Sequence, residues 1–200
     1  GLCSASRCAT RPAAPKAGAA RTRGGTLARG ATRIRGASGS ERPRATMSSP
    51  ASLPEEIYWS AERGELQKVV KWLRKGGQTD ALCPTTTRGG QASSFTLLHA
   101  ASSFGHLEMV RMLLKRGASV DLPSSLGFTA LMEAAYHGHI PIVLVLLQHS
   151  ADPDLHDTDR ATALMVTTCA GQQACVKALL RAKANPELID KDGDTALQHA

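Results

Sequence analysis

Large apolar residues in the second half of the chain fall into a pattern that returns every 33 positions. Thr-Leu-Leu-His at 96–99 is followed by Thr-Ala-Leu-Met at 129–132 and 162–165, then by Thr-Ala-Leu-Gln at 195–198. Superposing the units aligns Leu98, Leu131, Leu164 and Leu197; Val110, Val143 and Val176; and the pairs Leu113-Leu114, Leu146-Leu147 and Leu179-Leu180. Leu98 and Ala101 lie three apart, and Val110, Leu113 and Leu114 stand at i, i+3 and i+4. Each unit therefore predicts two short helices with one apolar stripe apiece. Gly105, Gly138 and Gly171 part the two helices. No single unit can bury such a stripe, and a period of about 20 to 50 residues marks units stacked around one shared core.

Upstream, Ile57, Ala61, Leu66, Val69, Val70, Trp72 and Leu73 supply two more stripes, split at Gly64. Gly64, Leu73 and Asp80 precede Gly105, Leu114 and Asp121 by a constant 41 positions, one period plus eight residues. This predicts a capping unit over 52–80, opened by a capping box at Ser52-Leu53-Pro54-Glu55. The extra residues fall in 81–95, where Pro84, Thr85 to Thr87 and Gly89-Gly90 predict a mobile loop, either a tolerated insertion or a binding element. Full units occupy 96–128, 129–161 and 162–194, and 195–200 begins a fifth that is expected to continue beyond Ala200. Gly117 is placed to end a helix in the left-handed region. Ser150 and Lys183 replace it in the next units, and Arg160 replaces the turn glycine seen at Gly127 and Gly193. Met165 and Thr167 stand in the unit 162–194 where the second unit has His99 and Ala101, and with Lys183 they make this fourth unit the one expected to be least stable.

The opening Thr96-Leu97-Leu98-His99-Ala100-Ala101 and the 33-residue spacing resemble the ankyrin repeat over residues 55–200. The resemblance implies an all-α solenoid of stacked helix-turn-helix units joined by hairpin loops. It also implies a protein-protein interaction module or scaffold, which holds a protein or peptide along its concave face. In that family the contacts come from the hairpin tips and the exposed ends of the first helices. Carried over by position, the tips are Ser125, Leu126 and Phe128; Thr158, Asp159 and Ala161; and Lys191, Asp192 and Asp194. The helix ends are Ser103 and Phe104, Tyr136 and His137, and Cys169 and Ala170. Phe104, Phe128 and Tyr136 are three of the chain's five Phe and Tyr residues. Large aromatics at solvent-facing positions are what binding hot spots are made of, although each could instead tuck against the neighbouring unit. Asp154, Asp157, Asp159, Asp190, Asp192 and Asp194 make the later tips acidic and suit a basic patch on the partner. A rival reading makes the chain the substrate-recognition arm of a larger enzyme, a kinase, ubiquitin ligase or methyltransferase, with its catalytic domain beyond residue 200.

Charge divides the chain at Met47. Residues 1–46 hold nine Arg, one Lys and one acid, Glu41, a net +9; the rest holds 14 basic and 16 acidic residues, a net −2. The basic pI therefore gives no reason to expect nucleic acid on the repeats. Residues 1–49, poor in large apolar side chains, are expected to be a disordered basic tail. Composition leaves three uses for the tail open. It could be an organelle transit peptide, an anionic-membrane contact, or a single-strand nucleic-acid contact through Arg-Gly pairs at Arg23, Arg29 and Arg35. Met47 also offers a start that would leave 1–46 untranslated.

Candidate chemistry adds little. Five cysteines, at 3, 8, 83, 169 and 175, lack Cys-x-x-Cys spacing. That pattern favours a reducing compartment, the cytoplasm first with the nucleus as the alternative, over a disulfide framework. His137 and His139 near Glu133 invite a metal, but His139 shares the turn position of His106 and no four-ligand set forms. Cys169 and Cys175 read as small hydrophobes rather than a reactive pair. No phosphate loop, zinc-protease or nucleophile-elbow motif occurs. The expectation is a monomer with no catalytic residue, cofactor, metal site or membrane span.

Overall fold

A computed structural model describes residues 53–86 and 92–200. The predicted tail 1–49, Ser52 and the tip 87–91 lie outside the described residues. Ten elements follow one another: α1 (Glu55–Glu62), α2 (Leu66–Arg74), β1 (Cys83–Thr86), β2 (Ala92–Phe95), α3 (Leu97–Ser103), α4 (Leu107–Lys115), α5 (Ala130–Tyr136), α6 (Ile140–Gln148), α7 (Ala163–Cys169) and α8 (Gln173–Arg181).

The helices form two rows. First helices pack in the order α1, α3, α5, α7, and second helices α4, α6, α8 line up behind them. The aligned apolar positions close the space between the rows: Leu98, Leu131, Leu164, Val110, Val143, Leu113, Leu146 and Leu179 are all buried. Burying one leucine side chain is worth about 1.5–3 kcal/mol, so stabilisation accrues at every interface between units. Small residues Ala101, Ala134 and Thr167 let successive first helices approach closely, and all three are fully buried.

Threonine starts each first helix. Thr96, Thr129 and Thr162 are extended, and their Oγ1 atoms accept from the backbone N–H of His99, Met132 and Met165. A cap of this kind contributes about 1 kcal/mol. His99 adds a second link, because its Nδ1 accepts from Thr96 N at 3.2 Å while its Nε2 donates to Phe128 O at 2.9 Å. Burial pulls its pKa down to about 4, so the ring is neutral and each nitrogen keeps one role. Tyr58 holds the equivalent place in the first unit. Burial, then the charges of Glu62 and Glu133, push its hydroxyl far above the usual range.

The aligned glycines serve the stacking as well as the turn. His106 Nε2 donates to Glu62 O at 2.7 Å, and His139 Nε2 donates to Ser103 O at 3.1 Å. Each ring lies over the preceding unit's glycine, where a Cβ on Gly64 or Gly105 would stand 2.7 or 2.8 Å from it. Gly117 has φ +82°, and the non-glycine replacements Ser150, Lys183 and Arg160 are held at 64°, 66° and 61°. Pro141 sits in the first turn of α6, where its missing N–H has no helical partner to lose.

The first helix starts at Glu55 with Pro54 as N-cap and no side-chain cap, and Ser52, the expected capping partner of Glu55, lies outside the described residues. Proline at 54 holds φ at −62° with extended ψ, which leaves the first helical residue at 55 rather than 53. Within the expected loop 81–95, residues 83–86 and 92–95 are strands instead: β1 and β2 pair antiparallel, with Cys83 opposite Phe95 and Thr86 opposite Ala92. Turn-forming residues hid the short run whose ends, Cys83 and Phe95, are buried in the shared core.

Candidate binding surface

Hairpin tips join one another through the backbone. Ser125 N donates to Ser94 O at 3.3 Å, Thr158 N to Leu126 O at 3.1 Å, and Lys191 N to Asp159 O at 3.0 Å. Ser125 Oγ also accepts from Ser94 N at 2.9 Å, which ties the long first hairpin to the next tip. The tips thus form a fixed ribbon along one edge of the stack. Within each tip a buried polar residue gathers the turn. Ser124 Oγ accepts from Leu126 N and Phe128 N; Asp157 Oδ1 accepts from Asp159 N and Ala161 N; Asp190 Oδ1 accepts from Asp192 N and Asp194 N.

The acidic run is therefore two kinds of residue. Asp157 and Asp190 are buried turn organisers. Burial raises the pKa of Asp157 against the pull of those two N–H groups. At Asp190 burial also pulls upward, but the N–H groups of Asp194 and Asp192, with His199, bring the net shift below the usual value. Asp154 Oδ1 accepts from Asn185 N at 2.8 Å and so joins units rather than facing a ligand. Asp192 and Thr158 are exposed, Asp159 and Asp194 are half-buried, and Asp159 pairs with exposed Lys191 at 2.8 Å.

The helix ends lie beside this ribbon in the first-helix row. Phe104 caps the C-terminus of α3, Tyr136 ends α5, His137 caps it, Cys169 ends α7 and Ala170 caps that helix. All five are half-buried, as is Ser103, whose carbonyl holds His139. The Tyr136 and His137 rings meet edge to face at 5.0 Å, and His137 Nε2 lies 3.9 Å from Glu133 Oε2. Phe128 departs from this group: its ring packs against the shared core and its carbonyl is taken by His99.

Charge is divided between the rows, a feature that sequence reading missed because it needs the helix assignment. The first helices carry Glu55, Glu56, Glu62 and Glu133 and no Lys or Arg. Second helices carry Lys68, Lys71, Arg74, Arg111, Lys115, Lys177 and Arg181 against one acid, Glu108. With the acidic tips, the first-helix side is negative.

Little reactive chemistry accompanies it. Cys83 and Cys175 are buried, and burial pushes the Cys83 thiol up to about 11 and raises that of Cys175, so both stay protonated at neutral pH. Ligand atoms of Asp190, Asp194 and His199 lie within 4.8 Å of one another, the one such group among the described residues. Asp190 gives His199 Nε2 a 3.1 Å contact while organising its turn, the turn role that Asp157 fills one unit earlier. Among the described residues no helix is long and apolar enough to cross a membrane.

A family model described as ankyrin repeats, in three copies, matches residues 57–157 and 147–200. Over 68 residues, a third of this chain, the sequence is 38% identical to the histone-lysine N-methyltransferase EHMT1 of Mus musculus and 37% identical to that of Homo sapiens. The matched stretch spans 5% of either relative.

Proposed function

Because the chain belongs to the ankyrin repeat family, a protein-interaction module, we propose that it is a non-catalytic scaffold whose first helices and hairpin tips grip a protein or peptide partner presenting Lys or Arg. One observation carries this reading: half-buried aromatics Phe104 and Tyr136 stand one unit apart on a row of helices with no Lys or Arg inside them, and Arg63 at the C-cap of α1 is paired with Glu65 at 2.8 Å. Aromatic anchors supply contact area at low entropic cost, and the surrounding acids select the partner's sign. Tips locked to one another present the surface preformed, which lowers the cost of binding. The proposed setting is the cytoplasm, with the chain acting as a monomer.

Affinity capture with the full chain and with the Phe104→Ala, Tyr136→Ala double variant tests the proposal. Partner recovery is expected to fall at least about tenfold in the variant, with helical circular dichroism unchanged. Undiminished recovery contradicts it. A second reading, the recognition arm of a larger enzyme, is supported by the likeness to two proteins named as histone-lysine N-methyltransferases. Transcript sequence downstream of the codon for Ala200 decides it: an open frame encoding a catalytic domain supports the arm, and its absence removes it.

A further inference from the structure

The opposite side of the stack carries a second surface. On the second helices, positions 33 apart form a grid of nine exposed residues: Glu108, Pro141 and Ala174; Arg111, Leu144 and Lys177; Lys115, Gln148 and Arg181. Neighbouring packed helices lie about 8–10 Å apart, so the three columns are close neighbours. The central column belongs to α6, whose nine residues, Ile140-Pro-Ile-Val-Leu-Val-Leu-Leu-Gln148, include no charge at all. Leu144 is 46% exposed at its middle. Leu180 is equally exposed, but it aligns with Leu114 and Leu147, and among the described residues no second helix follows α8 to pack on it. Leu144 is flanked by units on both sides, so its exposure is a property of the row itself.

The flanking columns decide what can cover it. Arg111 and Lys115 stand on one side, Lys177 and Arg181 on the other. Arg111 has Glu108 at 3.7 Å, while no acid among the described residues pairs with Lys115, Lys177 or Arg181. Lys115 and Arg181 close their helices, where a cation suits the helix dipole. That account does not reach Lys177, which lies mid-helix. An uncharged strip one helix wide, bordered by cations on both sides, matches one shape: a helix with an apolar stripe and acids along each flank. A bilayer is a poorer fit, because it would engage a broad apolar face and this one exposes a single large aliphatic side chain between its cations.

We propose that the solvent face of α6, centred on Leu144, docks an acidic amphipathic helix of a partner protein, independently of the first-helix surface. The probe is a dye-labelled synthetic peptide of about 18 residues with Leu at i, i+3, i+4 and i+7 and Glu on both flanks. It is titrated with the full chain at low and moderate salt, read by fluorescence anisotropy. Saturable binding is expected, weakened by salt, weakened about tenfold by Leu144→Ser and lost in Lys177→Glu with Arg181→Glu. Phe104→Ala with Tyr136→Ala is expected to leave it unchanged, which separates this site from the first. Any of four results overturns the proposal: no saturable binding, equal binding of a shuffled peptide of the same composition, an affinity of Leu144→Ser within about twofold of wild type, or Leu144-dependent binding of phosphatidylserine vesicles in place of the peptide.

Discussion

Acidification should loosen the second unit through one residue. His99 is fully buried, bonded at both ring nitrogens, and shifted from 6.5 to about 4. Its folded pKa lies below its unfolded one, so the unfolded chain takes up the proton first as pH falls. The stabilisation is thus complete above pH 6.5 and drains away between 6.5 and 4. Linkage sets the loss at about 2 kcal/mol by pH 5 and about 3 kcal/mol in the limit. The control is written into the chain: at Gln198, where the fifth unit has glutamine in this place, Oε1 accepts from Thr195 N at 2.7 Å. His99→Gln should keep that bond without titrating. Urea unfolding of wild type and variant at pH 7 and pH 5 isolates the residue, because carboxylates such as Asp157 and Asp190 contribute equally to both. Wild type should lose about 2 kcal/mol more than the variant over that interval. Losses equal within about 0.5 kcal/mol would refute the role given to His99.

Three further outcomes follow from local geometry. Ser102 Oγ is buried with no hydrogen-bond partner among the described residues, so Ser102→Ala should raise stability by about 1 kcal/mol, measured as a higher urea midpoint. Ser150 sits at φ 64°, where Gly117 stands one unit earlier. Ser150→Gly should therefore raise the thermal midpoint through relief of about 1 kcal/mol. Amide exchange should find α7 and α8 less protected than α3 and α4, since Lys183 holds strained backbone within the fourth unit and Arg160 holds it in the turn immediately before α7.

The sequence showed the stacking far better than the surface. Leucine and glycine positions recur because each unit must meet the next in the same way, so burial, the two rows and the left-handed residues at Ser150, Lys183 and Arg160 were all legible from spacing. The hairpin at 83–95 was not, because four-residue strands with proline and threonine carry no periodic signal. Which acids face outward was also hidden. Asp157 and Asp159 look alike in sequence, and only the turn distinguishes the buried organiser from the ion-paired rim. Phe128 shows the same limit, for position on a tip predicted exposure and contact with the core partly covers it.

The proposed partner meets the first-helix side of the stack. A photo-crosslinking amino acid at position 136, on the first-helix row, and at Gln67, exposed on the second-helix row of the first unit, tests this directly with the captured partner in hand. Cross-links from position 136 and none from position 67 are expected. Cross-links from position 67 alone would contradict the account.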